Sequence, residues 1–121
     1  MNASKITFSY DSDADILYVA FGANRAGIGL SINDRVLLRV DQKMKQLIGL
    51  TIFDYHKTAQ MKSLELYGLK EMDSNVEYFA LSLLQKAPLN RFFKFNSIRD
   101  KIPTLQPNLK KLRIETLLHA A

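Results

Sequence analysis

Three aspartates at alternate positions, Asp11, Asp13 and Asp15, form a cluster of oxygen donors of the type that binds hard cations. A calcium loop of the EF-hand kind also needs glycine at its sixth position, for a sharp turn, and a bidentate glutamate at its twelfth. Counted from Asp11, those positions hold Ile16 and Gly22. The ligand set is incomplete, and no metal is expected. Asp54 and His56 form a second candidate pair, since a carboxylate beside an imidazole can position a proton donor. Nothing in the chain nominates a nucleophile to go with it. There is no cysteine, no G-x-S-x-G turn, no phosphate-cradling glycine loop and no pair of histidines at metal-binding spacing. His56 reads as a surface or capping histidine. His119 falls near a helix C-terminus, where the partial negative charge favours a cation. The chain is expected to be no enzyme and to carry no cofactor.

The third chemistry is electrostatic. Residues 1–60 are nearly balanced in charge, and the net charge of +5 accumulates beyond them. Lys86, Arg91, Lys94, Arg99, Lys101, Lys110, Lys111 and Arg113 are opposed over that stretch by Asp100 alone. Such a stretch attracts nucleic acid, an acidic protein or an anionic surface, or serves only as a solvated face. Phe92, Phe93 and Phe95 interleave with it and offer stacking or interface surface. Side chains at i, i+1 and i+3 do not share one helix face, so at least one of the three is expected to be exposed or interfacial. Aromatics and arginine are both enriched in interface cores, which favours a protein partner over RNA.

The elements that must position these residues follow from periodicity. Ile6, Phe8 and Tyr10 alternate with Lys5, Thr7 and Ser9, the period of a half-buried strand. Ile16–Phe21 is apolar on both faces and suits a central strand. Strands are also expected at Ile28–Ile32, Val36–Val40 and Leu47–Phe53, the last interrupted by Gly49. Short polar connections, including Asn33-Asp34, favour antiparallel neighbours. The spacing predicts an antiparallel meander of four to five strands. In the second half, Val76, Phe79, Ala80, Leu83, Leu84 and Ala87 recur at helical spacing behind a capping-box pattern, Ser74-Asn75-Val76-Glu77. Pro88 should stop that helix. Shorter helices are expected over 57–70 and 90–95, and a last one over Leu109–His119 with Asn108 as its cap. The fold class is therefore α+β: a sheet module over 1–56, and a helical, basic extension over 57–121 packed on it as one structural unit. No run approaches the length of a membrane helix and no secretory signal is visible, so a cytoplasmic protein is expected.

The N-terminal half resembles a family of small prokaryotic proteins known as domain of unknown function 2283. Its opening pattern, Y-D-x-x-A-D-x-L-Y-[IV], is filled by Tyr10, Asp11, Ala14, Asp15, Leu17, Tyr18 and Val19. A strand after a D-x turn is matched by Asp34-Arg35-Val36-Leu37-Leu38, and a closing [LIV]-[VI]-G-[IL]-E-[IL] by Leu47-Ile48-Gly49-Leu50-Thr51-Ile52. Two positions depart from the pattern. Thr51 replaces the glutamate, and the turn before it, Asp41–Gln46, has no glycine. The resemblance covers about residues 5–56. It implies a sheet, carries over no established activity, and allows an antitoxin-like role, since some members look like partners of neighbouring toxin-like genes.

The residues alone assign the opening motif a folding role. Asp carboxylates bond turn amides and tolerate sparsely allowed dihedrals, and Tyr10 and Tyr18 flank the turn where they can pair across strands. The expected function is a non-catalytic protein-interaction module, antitoxin-like or homo-oligomerising. Its partner is itself, as a dimer or larger, or another protein. The alternative is nucleic-acid binding through the basic C-terminal segment.

Overall fold

The computed structural model describes residues 5–22, 26–41, 43 and 45–112. Strands β1 (Ile6–Asp11) and β2 (Ile16–Phe21) form a hairpin, followed by β3 (Ile28–Ser31), β4 (Val36–Val40) and β5 (Leu47–Ile52). All five pair antiparallel in one open sheet, in the order β1-β2-β5-β4-β3. The antiparallel sheet agrees with the period-two pattern. Its order is not that of a plain meander, because β5 returns between β2 and β4. The interruption expected at Gly49 is a register shift and not a break: Arg39 pairs with Gly49 and Val40 with Leu47, while β5 is continuous over Leu47–Ile52. Gly49 pairs with Ala20 and Arg39 inside the strand, where a Cβ would stand 3.1 Å from the Val19 carbonyl.

Register assigns the two faces. Tyr10, Leu17, Ile52 and Val36 lie in one cross-strand row, and Phe8, Val19, Leu50, Leu38 and Leu30 in the next. Both rows face the core, and Val36, Leu38 and Ile52 are fully buried there. Burying a side chain of this size stabilises a fold by roughly 1.5–3 kcal/mol. The opposite face carries Thr7, Ser9, Tyr18, Arg39 and Thr51. Tyr10 and Tyr18 therefore point to opposite faces, and the expected pairing between them does not form.

The second half covers the core face, but helices are only part of it. Chain order gives α1 (Tyr55–Ala59), β6 (Leu64–Glu65), a 3-10 turn at Tyr67–Glu71, α2 (Ser74–Leu84), a 3-10 turn at Leu89–Arg91, β7 (Phe93–Asn96), β8 (Thr104–Pro107) and α3 (Leu109–Leu112). Strands β6, β8 and β7 make a second antiparallel sheet, in that order. The helix expected over 57–70 is thus replaced by a short helix, a two-residue strand and a 3-10 turn. The one expected over 90–95 is a 3-10 turn running into β7. For the last helix, Leu109–Leu112 is helical and its remainder lies outside the described residues.

Helix α2 buries Ala80, Leu83 and Leu84 and half-buries Val76 and Phe79, the stripe its spacing predicts. Its cap differs from the expected box. Asp73 is the extended N-cap residue, the Glu77 amide donates to the Asp73 carbonyl at 2.9 Å, and Ser74 already lies within the helix. One hydrophobic cluster joins the sheets and helices, with Phe92 packed edge to face against Phe8 and at a tilt against Phe21.

Several polar contacts dock the β3–β4 turn onto the second half, among them the Tyr67 hydroxyl, which donates to Asp34 Oδ1 at 2.6 Å. Asn33 is 5% exposed; its Oδ1 accepts the Arg35 and Val36 amides, and its Nδ2 donates to the Glu65 carbonyl at 3.2 Å. The Gly68 amide donates to the Ile32 carbonyl at 3.0 Å. At that approach a Cβ on Gly68 would collide with the Ser31 and Ile32 backbone, so the position admits no side chain. Gly68→Ala is expected to destabilise the fold by about 1–3 kcal/mol, the usual range for overpacking, as measured by urea denaturation.

Candidate interaction surface

The opening motif folds into a hydrogen-bonded turn. Asp11 Oδ1 accepts the amides of Asp13 at 3.0 Å and Ala14 at 3.1 Å. Asp15 takes a left-handed backbone, φ 57°, a conformation Asp tolerates better than most residues. Of the remaining motif residues, Ala14 is exposed, Leu17 is a core residue and Tyr18 is 43% exposed on the open face.

Asp15 does more than turn the chain. Its Oδ1 accepts the Tyr10 hydroxyl at 2.7 Å and lies 2.8 Å from His56 Nδ1, while its Oδ2 accepts the His56 amide at 3.2 Å. The Tyr55 amide donates to the Asp15 carbonyl at 2.8 Å, and the rings of Tyr10, Tyr55 and His56 pack edge to face. The turn is thereby tied to the start of α1, which follows directly on β5. Burial pushes the Asp15 carboxyl up, but the hydrogen bonds from Tyr10 and His56 outweigh it and hold the carboxyl below its ordinary value. The same Asp15 bond, with smaller contributions from desolvation and nearby charge, raises the Tyr10 phenol to about 12.

The expected Asp54–His56 pair does not form. Asp54, itself left-handed at φ 51°, faces Arg35 Nη1 at 3.6 Å, and His56 turns to Asp15. Both side chains are solvated, at 68% and 66% exposure. The imidazole–carboxylate contact spans 41 residues of sequence and has no local signature.

The basic segment lies on the second sheet and its flanks. Lys86, Arg91, Lys94, Arg99, Lys101, Lys110 and Lys111 are all exposed, and none makes an ion pair among the described residues. Arg113 lies outside the described residues. Of the expected alternatives, exposed or interfacial, the first is corrected: none of the three aromatics is exposed. Phe92 and Phe93 are buried, and Phe95 is half-buried against the core. The reason is that residues 93–96 form a strand, so Phe93 and Phe95 share its inner face while Lys94 takes the outer one.

The structure brings two of the cations together. A groove of about 760 Å³ runs past the ends of α2, β7 and β8 and the start of α3. Leu84, Phe93, Phe95 and Pro107 form its apolar part, Gln85, Asn90, Gln106 and Asn108 its neutral polar part, and Lys94 and Lys110 its charge. No acidic residue lines it among the described residues. At the other end of β7 and β8, Lys101 borders a smaller cavity with Glu65 and Asp100, so that end is mixed in sign. Sequence reasoning missed Gln85, Asn90, Gln106 and Asn108 because neutral amides carry no signal in a charge count. Asn108 was legible only as a helix cap; its Oδ1 does accept the Lys111 amide, at 3.4 Å.

No helix among the described residues is long and apolar enough to cross a membrane. No protein-family model, curated protein or solved structure matches this chain.

The Tyr10–Asp15 bond generates a titration with a definite sign. Asp15→Asn should return the Tyr10 phenol from about 12 toward its ordinary 10.0, read by NMR titration of labelled tyrosine. Since the folded carboxyl of Asp15 lies below its unfolded value, its contribution to stability is present above the ordinary carboxylate range and is lost as pH falls through the folded value. Tyr10 has the opposite sense. Its contribution is full below 10.0 and is lost as pH rises through about 12. Asp15→Asn should flatten both slopes in urea melts followed against pH.

Proposed function

We propose that this chain is a non-catalytic protein-interaction module that receives an acidic segment of a protein partner on its basic C-terminal surface. The observation that carries the reading is the groove beside β7, apolar at its base, bordered by Lys94 and Lys110, and free of acidic residues among those the structure describes. Unpaired cations around an apolar patch complement a partner carrying carboxylates and aliphatic side chains, and such complementarity steers association and selects partners. The resemblance of residues 5–56 to domain of unknown function 2283 is consistent with this role. It extends the proposal to an antitoxin-like partner of another protein, working in the cytoplasm.

The Tyr10–Asp15–His56 cluster is given a structural role. An Asp–His contact holds an imidazole in one orientation and can serve proton transfer. Here the hydroxyl, the carboxylate and Nδ1 bond one another on a solvated surface, and the cluster joins the first turn to α1.

Nucleic-acid binding is the alternative, and the positive charge supports it. The burial of Phe92 and Phe93 weakens it, because bases stack on aromatic faces they can reach. Fluorescence anisotropy separates the two. A glutamate-rich peptide should bind at low salt, and Lys94→Glu combined with Lys110→Glu should weaken it by about tenfold, while His56→Ala leaves it unchanged. Failure of the peptide to bind, together with oligonucleotide binding that falls steeply with salt, would replace this reading with the nucleic-acid one.

A further inference from the structure

The register of the second sheet determines which backbone groups are used and which are free. The Asn108 amide donates to the Phe92 carbonyl at 2.8 Å, which makes Phe92–Asn108 a hydrogen-bonded pair. In an antiparallel ladder such pairs alternate with pairs whose amides and carbonyls point outward. Along β7 and β8 the bonded pairs are therefore Lys94–Gln106 and Asn96–Thr104, and the outward pairs are Phe93–Pro107 and Phe95–Leu105. Pro107, which has no amide, sits where none is needed for β7. On the other side of β8, the Leu66 amide donates to the Pro103 carbonyl at 2.9 Å, which puts Leu64–Leu105 in the bonded class. The alternation is consistent across all three strands.

It follows that the amide and carbonyl of Phe93 and of Phe95 point away from β8. They have no hydrogen-bond partner among the described residues. The sheet's other edge is treated differently. There the Glu65 carbonyl points outward and accepts Asn33 Nδ2, so the β6 edge is docked onto the first sheet. An unpaired edge is a template for another strand, and here Phe93, Lys94 and Phe95 all line the basic groove.

We propose that the β7 edge takes an extended acidic peptide segment as a fourth strand of the second sheet. Main-chain bonds to Phe93 and Phe95 would supply affinity, and Lys94 and Lys110 the preference for carboxylates, the division of labour usual in strand addition. The inference rests on the interaction-module reading and adds how the partner is held. The edge of β1 is also unpaired, since the Gly22 amide donates to the Lys5 carbonyl and the alternation leaves Ile6, Phe8 and Tyr10 pointing outward. That edge ends in the exposed Asp11 and Asp13, which repel an acidic strand, so it suits a different occupant, such as a second copy of the chain.

The test uses the full chain and a fluorescent peptide of about ten residues alternating Glu and Val, long enough to span the edge. A second peptide of the same sequence is N-methylated throughout, which keeps its charge and removes its donors. The first should bind at low salt and the second at least about tenfold more weakly, the loss expected from two main-chain bonds. Lys94→Glu combined with Lys110→Glu should weaken the first peptide. Equal binding of the two peptides overturns strand addition while leaving the interaction module standing. No binding of either overturns both. Binding that is sensitive to N-methylation but indifferent to the charge reversal moves the strand to an edge of the first sheet, β1 or β3, and overturns the assignment to β7.

Discussion

The placement of β5 between β2 and β4 is the constraint from which the rest of the structure follows. Five of its six residues are buried, so the strand is closed on both faces, and in the sheet order it stands between the β1–β2 hairpin and β3–β4. Gly49 makes this possible at the point of tightest approach to Val19 and Arg39. The strand's end is equally constrained. Asp54 turns the chain through a left-handed residue, and α1 then meets the first turn through Asp15 and His56. With β5 in the middle, the next chain segment leaves the sheet at its centre and is directed over the core face. The described residues after 54 cover rows of aliphatic side chains that would otherwise face water.

The cover is made from short pieces, and that shapes the surface. A single long helix would have closed its own backbone bonds. Instead a three-stranded sheet is used, and a small sheet has two edges. One is docked onto the first sheet through Asn33, a side chain that satisfies its own turn and a neighbouring sheet at once. The other, β7, lies beside an apolar groove with exposed lysines and, among the described residues, no acid. Natural sheets commonly guard an open edge with lysine. Lys94 fits that role in the free chain, and the same charge would select an acidic strand once a partner arrives.

Much of the first sheet was legible because period-two alternation over five or six residues is a strong signal, and the doubly apolar Ile16–Phe21 marked β2 as central. The order was not legible. The β2–β5 pairing is a long-range contact that no local pattern encodes. Helix α2 was legible from its stripe, and only its cap was displaced by one residue. The second sheet was missed for physical reasons. A two-residue strand such as β6 has no periodicity. Phe93-Lys94-Phe95 alternates, but Phe92 beside it is also buried, packed against Phe8 and Phe21, and this broke the alternation into an apparent cluster. Pro107 argued against a strand, although it occupies a position of β8 where no donor is required toward β7. In the candidate site, charge was legible and pairing was not. The cations are exposed as expected, whereas the partnership of Asp15 with Tyr10 and His56 exists only once β5 has brought α1 to the first turn.

In the proposal, the backbone groups of β7 that are unpaired on its outer side take up an acidic strand. Amide hydrogen exchange followed by NMR, with and without the Glu/Val peptide, tests it residue by residue. The account predicts that in the free chain the amides of Phe93 and Phe95 exchange faster than those of Lys94 and Asn96, and that the peptide protects Phe93 and Phe95. Protection of Phe93 and Phe95 already in the free chain, or protection by the peptide of β1 amides with β7 unchanged, would contradict it.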